Sequence, residues 1–103
     1  MSSAFQRCRI FAHTDIMAVA NMLVGNNENV AALEITHSGP TIFFHRPAVV
    51  ALCGAVMDVT VDGVEVTMWT RLPIPKGAEL VIGSAKGTGC RAYLAVFGGL
   101  PGV

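Results

Sequence analysis

The sequence predicts a mainly β protein, a barrel or sandwich carrying one short buried helix near its N-terminus. Three observations carry this expectation. Extended apolar segments recur at short intervals between Gly, Pro, Asn and Asp turns. Asp62-Gly63 separates two runs in which apolar and polar residues alternate. Residues 16–24 are apolar at every position except Asn21.

Taken in order, residues 1–12 have weak strand character from Phe5, Ile10 and Phe11. Thr14 or Asp15 can cap the helix that follows, because either side chain accepts a bond from a free first-turn amide. A helix apolar on all sides has no solvent face, so residues 16–24 are expected to be buried all round. Gly25, Asn26 and Asn27 suit the left-handed conformation that ends a helix. Extended segments follow at 32–36, 41–44 and 49–53, separated by Ser38-Gly39-Pro40 and Arg46-Pro47. Residues 48–53 lack alternation and read as a strand covered on both faces.

Asp62-Gly63 has the chemistry of a two-residue type I′ turn, which needs two positive φ angles. It pairs Val61 with Val64, Val59 with Val66 and Met57 with Met68 on an apolar face. Thr60 meets Glu65 and Asp58 meets Thr67 on the polar one. A one-residue slip would expose the valines, so the pattern also sets the register. A further antiparallel pair is expected between 71–74 and 79–83 through Pro75-Lys76-Gly77, a type II turn sequence. Residues 84–89 read as a polar loop and 91–97 as the last strand. The closing Gly98-Gly99-Leu100-Pro101-Gly102-Val103 reads more as a connection than as an end.

At 103 residues the chain has room for one modest core. Its 52% apolar share against 14% charged exceeds what that core needs, so some apolar surface should meet a partner or the rest of a larger fold. Seven basic and seven acidic residues leave no net charge and form no basic stripe, which argues against nucleic acid as a partner. The apolar run 47–53 is too short to span a bilayer, and no hydrophobic segment follows Arg7 and Arg9 as a secretory signal requires. Cys8, Cys53 and Cys90 are odd in number and widely spaced. They fit reduced thiols in a cytoplasmic protein better than a disulfide framework.

Few residues fall into a chemical motif. His13, His37 and His45 lie at turns or segment ends and match no metal-ligand spacing, so no metal is expected. In the glycine-rich stretch 83–89, Lys86 precedes its glycine and a strand follows, the wrong order for a phosphate-binding loop. Cys53 closes a buried strand, where desolvation disfavours the thiolate, and Cys90 and Arg91 should point to opposite faces of theirs. No catalytic residue is assigned. Three polar residues stand out as substrate-pocket candidates. Asn21 carries an amide that burial obliges to find partners, Glu34 alternates with apolar neighbours in Leu33-Glu34-Ile35-Thr36, and Arg91 brings a guanidinium fork suited to a carboxylate. Trp69 and Tyr93 read as core or interface aromatics, with Trp69 pointing off the apolar hairpin face.

One resemblance covers about residues 17–99. Ala20-Asn21-Met22-Leu23-Val24-Gly25-Asn26, Leu33-Glu34-Ile35-Thr36, Gly39-Pro40-Thr41, Val61-Asp62-Gly63, Val81-Ile82-Gly83, Gly89-Cys90-Arg91-Ala92-Tyr93-Leu94-Ala95-Val96 and Gly98-Gly99 occur in collinear order. Together they resemble the first half of the carboxyltransferase domain of urea amidolyase (urea carboxylase). That family includes allophanate hydrolase subunit 2 and a 5-oxoprolinase subunit.

The resemblance implies a cyclophilin-like β-barrel, with residues 1–103 forming the N-terminal half of a carboxyltransferase-like domain. It also implies part of a biotin-dependent carboxyltransferase, or of a related ATP-dependent amide-hydrolysing enzyme, acting on urea, 5-oxoproline or a similar small amide. Carboxybiotin and ATP belong to the complete system and no cofactor to this chain alone, which is expected to be inactive in isolation. The implied partners are the remainder of the domain, a partner subunit or a second copy. The family's Gly-Pro-Met-Asp segment ahead of Asn21 is replaced here by His13-Thr14-Asp15-Ile16-Met17. The alternative reading is a non-catalytic β-module that self-associates or binds a partner protein through an exposed apolar face.

Overall fold

The computed structural model describes residues 13–85 and 91–99. Helix α1 (His13–Leu23) is followed by strands β1 (Leu33–Thr36), β2 (Thr41–Phe43), β3 (Ala48–Gly54), β4 (Met57–Val61), β5 (Val64–Glu65), β6 (Leu72–Ile74), β7 (Glu79–Ala85) and β8 (Arg91–Val96). The expected strand character of residues 1–12, and the roles weighed for Cys8, Lys86 and Cys90, lie outside the described residues.

The helix begins earlier than expected, which places Asp15 in its first turn, where a negative charge favours the dipole, rather than at its cap. It ends as the sequence requires. Gly25 has φ +89, its N–H bonds the Met22 carbonyl at 3.1 Å, and the Asn26 N–H bonds the Asn21 carbonyl at 2.8 Å. These two bonds form a Schellman motif and satisfy carbonyls the helix end would leave open.

Two open four-stranded antiparallel sheets make up the rest, in the orders β1-β8-β3-β6 and β2-β7-β4-β5. Their facing sides share one core that includes Ile35, Val50, Leu52, Val59, Leu80, Ile82 and Leu94. Alternation then turns Ala51, Cys53, Tyr93 and Ala95 to the other side of the first sheet, where they pack with Ile16, Ala20 and Val24 of α1. The result is helix, sheet, sheet. Strand β3 is covered on both faces, as its unbroken apolar run predicts.

Four expectations need correction. Among the described residues the cyclophilin-like barrel is absent: each sheet keeps two edges, β1 and β6 in one, β2 and β5 in the other, and no closed barrel forms. Strands β6 and β7 do not pair. The Pro75-Gly77 turn does form, with Gly77 at φ +84 and the Ala78 N–H on the Pro75 carbonyl at 3.2 Å, but it carries the chain from one sheet to the other. Strand β6 pairs with β3 instead, and its Pro73 is tolerated because β6 is an edge.

The helix is buried on one face only, since Met22 is 63% exposed and Val19 is also exposed. The Asp62-Gly63 hairpin has the expected register, Val61 with Val64 and Thr60 with Glu65, and both turn residues have positive φ. Its apolar face is less covered than expected because β5 is a two-residue edge strand and Val64 stands 67% exposed.

Candidate functional site

Strand β1 lies antiparallel to β8 with Glu34 opposite Tyr93 and Thr36 opposite Arg91. Tyr93 faces the helix, so alternation sets Glu34, Thr36 and Arg91 on that same side of the sheet. Being an edge strand, β1 leaves these polar side chains open to solvent. Arg91 and Glu34 meet there, with Arg91 Nε 3.3 Å from Glu34 Oε2 and each side chain about half exposed. A pair so exposed contributes at most about 1 kcal/mol to stability. Its consequence is geometric, because each charge holds the other in place.

Tyr93 stands directly across from Glu34 and is only 3% exposed. Burial pushes its phenol above the ordinary range, and the Glu34 charge adds to the shift, while Arg91 pulls the other way. The backbone of Arg91 is fixed from below by the end of β3. Gly54, at φ +125, lies so close that a Cβ there would collide with the Arg91 carbonyl oxygen and Ala92 Cα, and the Ala55 N–H bonds that same carbonyl at 3.0 Å.

Asn21 lies elsewhere. It is fully buried in α1 and donates from Nδ2 to the carbonyls of Val30 at 2.7 Å and Glu28 at 3.3 Å. Its Oδ1 accepts from Asn26 Nδ2 at 3.1 Å. Asn26 also donates to the Val96 carbonyl at 2.8 Å, and its Oδ1 accepts from the Gly98 N–H at 2.9 Å. The two asparagines therefore bind the helix end, the loop into β1 and the end of β8 into one unit. At strand rise, Val96 lies roughly 16 Å from Arg91 along β8. Glu34 and Arg91 come together; Asn21 does not join them.

Sequence reasoning missed Tyr93, Gly54 and Asn26 as parts of these arrangements. Tyr93 had a usable signal, its two-residue spacing from Arg91, which shares a strand face. Gly54 had none, and Asn26 only its place five residues after Asn21, since its other partners, Val96 and Gly98, are remote in sequence.

Cys53 is completely buried against the helix, and burial pushes its thiol up to about 11, so it is no nucleophile in the folded protein. Among the described residues, no three His, Cys, Asp or Glu side chains are grouped to hold a metal ion. No described helix is long and apolar enough to cross a membrane.

Comparison with known proteins adds identity to this geometry. Residues 13–102 match the family model for the carboxyltransferase domain, subdomain A and B. An Emericella nidulans protein provisionally named a urea carboxylase is 51% identical over 85 residues, covering 82% of this chain and 7% of its own length. A 5-oxoprolinase subunit of Escherichia coli (strain K12) is 39% identical over 84 residues, covering 82% of this chain and 27% of that protein. The crystal structure of the Kluyveromyces lactis urea carboxylase superposes with a TM-score of 0.77 at 36% identity, over 81% of this chain and 7% of that one. The chain thus spans between 7% and 27% of the length of these relatives.

Proposed function

Because the chain belongs to the carboxyltransferase-domain family, subdomain A and B, we propose that it is the N-terminal half of such a domain within a biotin-dependent carboxyltransferase or a related ATP-dependent amide-cleaving enzyme. The observation that carries this reading is the family match along residues 13–102 together with a fold shared with urea carboxylase. In this role the first sheet and its helix form one wall of a pocket. Glu34 and Arg91 present its polar face, and Asn21 shapes its rim by holding the loop at 28–30. The remainder of the domain or a partner subunit supplies the opposite wall, and exposed Met22 and Phe97 on the helix side are apolar surface available to it. Water exclusion and substrate positioning need both walls, so catalysis belongs to the complete assembly. Reduced Cys53 suits a cytoplasmic setting.

Carboxybiotin would bring the carboxyl group to be transferred, and ATP would supply the energy for the complete system. The candidate residues Glu34, Arg91 and Asn21 do not suit either group. A carboxylated biotin or a polyphosphate is anionic and asks for unbalanced positive charge, whereas Arg91 is already balanced by Glu34 at 3.3 Å. Asn21 is fully buried and committed to its neighbours. No transfer step is therefore assigned to these side chains.

A graft tests the reading. Residues 13–99 replace the matching segment of the Kluyveromyces lactis urea carboxylase, and a second graft is made into the Escherichia coli 5-oxoprolinase subunit. Retained amide-dependent turnover in one of them is the expected result, and the acceptor that works names the substrate. Two folded, soluble grafts that both lack amide-dependent turnover would overturn the proposal.

A second reading has one observation in its favour, the exposed apolar side chains themselves. A non-catalytic module would bury them against a partner protein or a second copy, and would leave both grafts inactive.

A further inference from the structure

We propose that Asp62 is a modification site, a latent isoaspartate at the tip of the β4–β5 hairpin, and that its paired hydrogen bonds to Glu79 gate the reaction. The site is independent of the enzyme role proposed above.

The neighbouring residue singles this position out. Of the three aspartates, Asp15 precedes Ile16, Asp58 precedes Val59 and only Asp62 precedes a glycine. A β-branched follower crowds the backbone nitrogen that must attack, whereas nothing lies within 4 Å of where a Gly63 Cβ would stand. Both turn residues are exposed, so water reaches them. From the protonated carboxyl, the Gly63 nitrogen forms a bond to Asp62 Cγ, the Cγ–OH bond breaks, and the hydroxyl leaves with the amide proton as water. The resulting succinimide takes one water back. Addition at Cγ restores aspartate. Addition at the main-chain carbonyl carbon leaves Gly63 attached through Cγ and frees the α-carboxylate. Nothing is oxidised or reduced, and the mass is unchanged.

The fold opposes ring closure. The Asp62 N–H donates to the Glu79 carbonyl at 2.9 Å, and the Glu79 N–H donates to Asp62 Oδ1 at 2.9 Å. One residue of β7 thus holds both the main chain and the carboxylate of Asp62. The positive φ angles of Asp62 and Gly63 set a type I′ turn. In that turn Asp62 Cβ and the Gly63 nitrogen are far from eclipsed about the Cα–C bond, and the five-membered ring needs them eclipsed. Closure therefore waits for the hairpin to open. Opening is local, because β5 is a two-residue strand at a sheet edge with Val64 standing in solvent.

The product is a one-way change. It lengthens the main chain by one carbon inside a two-residue turn, so Val61 and Val64 lose their register and β5 cannot pair as before. Its free α-carboxylate is the group that isoaspartyl O-methyltransferases esterify with S-adenosylmethionine. An enzyme of that class is the partner the modified chain fits.

The test incubates the full chain at neutral pH, in native buffer and in denaturing urea, and counts isoaspartate by peptide mapping and by methyl transfer from a purified isoaspartyl O-methyltransferase. Isoaspartate is expected at Asp62 and at neither Asp15 nor Asp58. It should form at least about tenfold more slowly in the native chain than in the denatured one, the ratio given by about 1.4 kcal/mol of opening free energy. Glu79→Pro removes the N–H that bonds Oδ1 and should speed the native reaction about threefold or more, with the denatured rate unchanged. If that variant does not fold, the native rate of the unaltered chain in urea below its unfolding midpoint takes its place, and should rise with urea as the hairpin opens. Equal native and denatured rates overturn the proposal, as does denatured chain without isoaspartate at Asp62. So does a folded Glu79→Pro variant with an unchanged native rate or, in its place, a native rate that stays flat in urea.

Discussion

Asn21 Nδ2 donates to the Val30 carbonyl at 2.7 Å, across nine residues, and this bond closes the loop that leads from the helix into β1. Asn21→Leu keeps roughly the side-chain volume but deletes the bonds to Val30 and Glu28 and the acceptor used by Asn26. Buried groups left without partners cost about 1 to 3 kcal/mol each, so a total loss of about 2 to 4 kcal/mol is expected in the denaturant midpoint. The same variant placed in the complete domain distinguishes positioning from contact with substrate. Lost activity at nearly unchanged stability would show that Asn21 touches the ligand instead.

Gly54→Ala tests the floor beneath Arg91. The added methyl meets backbone, the Arg91 carbonyl oxygen and Ala92 Cα, which cannot rotate out of the way, and φ +125 is itself hostile to a side chain. Strand β8 must move or the strand pairing must open. A loss of about 2 kcal/mol or more is expected by thermal or chemical unfolding. Amide resonances of Arg91 and Ala92 should shift further than those of β2, which belongs to the other sheet. A near-neutral effect would mean that β3 and β8 do not approach as described.

What was legible in the sequence was local. Asp62-Gly63 dictated its own turn and register because two positive φ angles admit few residue pairs, and Gly25, at a single positive φ, announced the end of the helix. The unbroken apolar run of β3 told of cover on both faces. Sheet membership was not legible. Pro75-Lys76-Gly77 specifies a turn, but a turn does not say whether the strands beside it pair, and β6 takes β3 as its partner. Nor did an all-apolar helix imply full burial, since Val19 and Met22 face outward for want of anything packed on that side among the described residues. At the candidate site, alternation within Leu33-Glu34-Ile35-Thr36 exposed Glu34 correctly. Its meeting with Arg91 depended on pairing two segments far apart in the chain.

Gly63→Ala isolates backbone strain at the hairpin. Nothing lies within 4 Å of the position a methyl would take, so no contact is gained or broken. Only φ +80 opposes the change. The expected loss is about 1 to 2 kcal/mol, and Gly63→Asn should lose less because Asn tolerates the left-handed region better. Equal losses for the two variants, by denaturant midpoint, would argue against a type I′ turn.

Cys53 gives the pH dependence. In the unfolded chain its thiol ionises near the ordinary 9.0, while in the fold burial raises this to about 11. Below 9 the thiol is protonated in both states and its contribution is fully present. Between about 9 and 11 the unfolded chain loses the proton first, which stabilises the unfolded state, so stability falls as pH rises and the loss is complete above the folded value. Two pH units correspond to about 2 to 3 kcal/mol. The measurement is the difference in unfolding free energy between the unaltered chain and Cys53→Ala at pH 8 and at about pH 11. Other titrating groups, Tyr93 among them, are common to both and cancel. The advantage of the unaltered chain should shrink by about that amount across the window. A constant difference would show that Cys53 ionises as readily in the fold as in the unfolded chain, and that the helix does not seal the sheet over it.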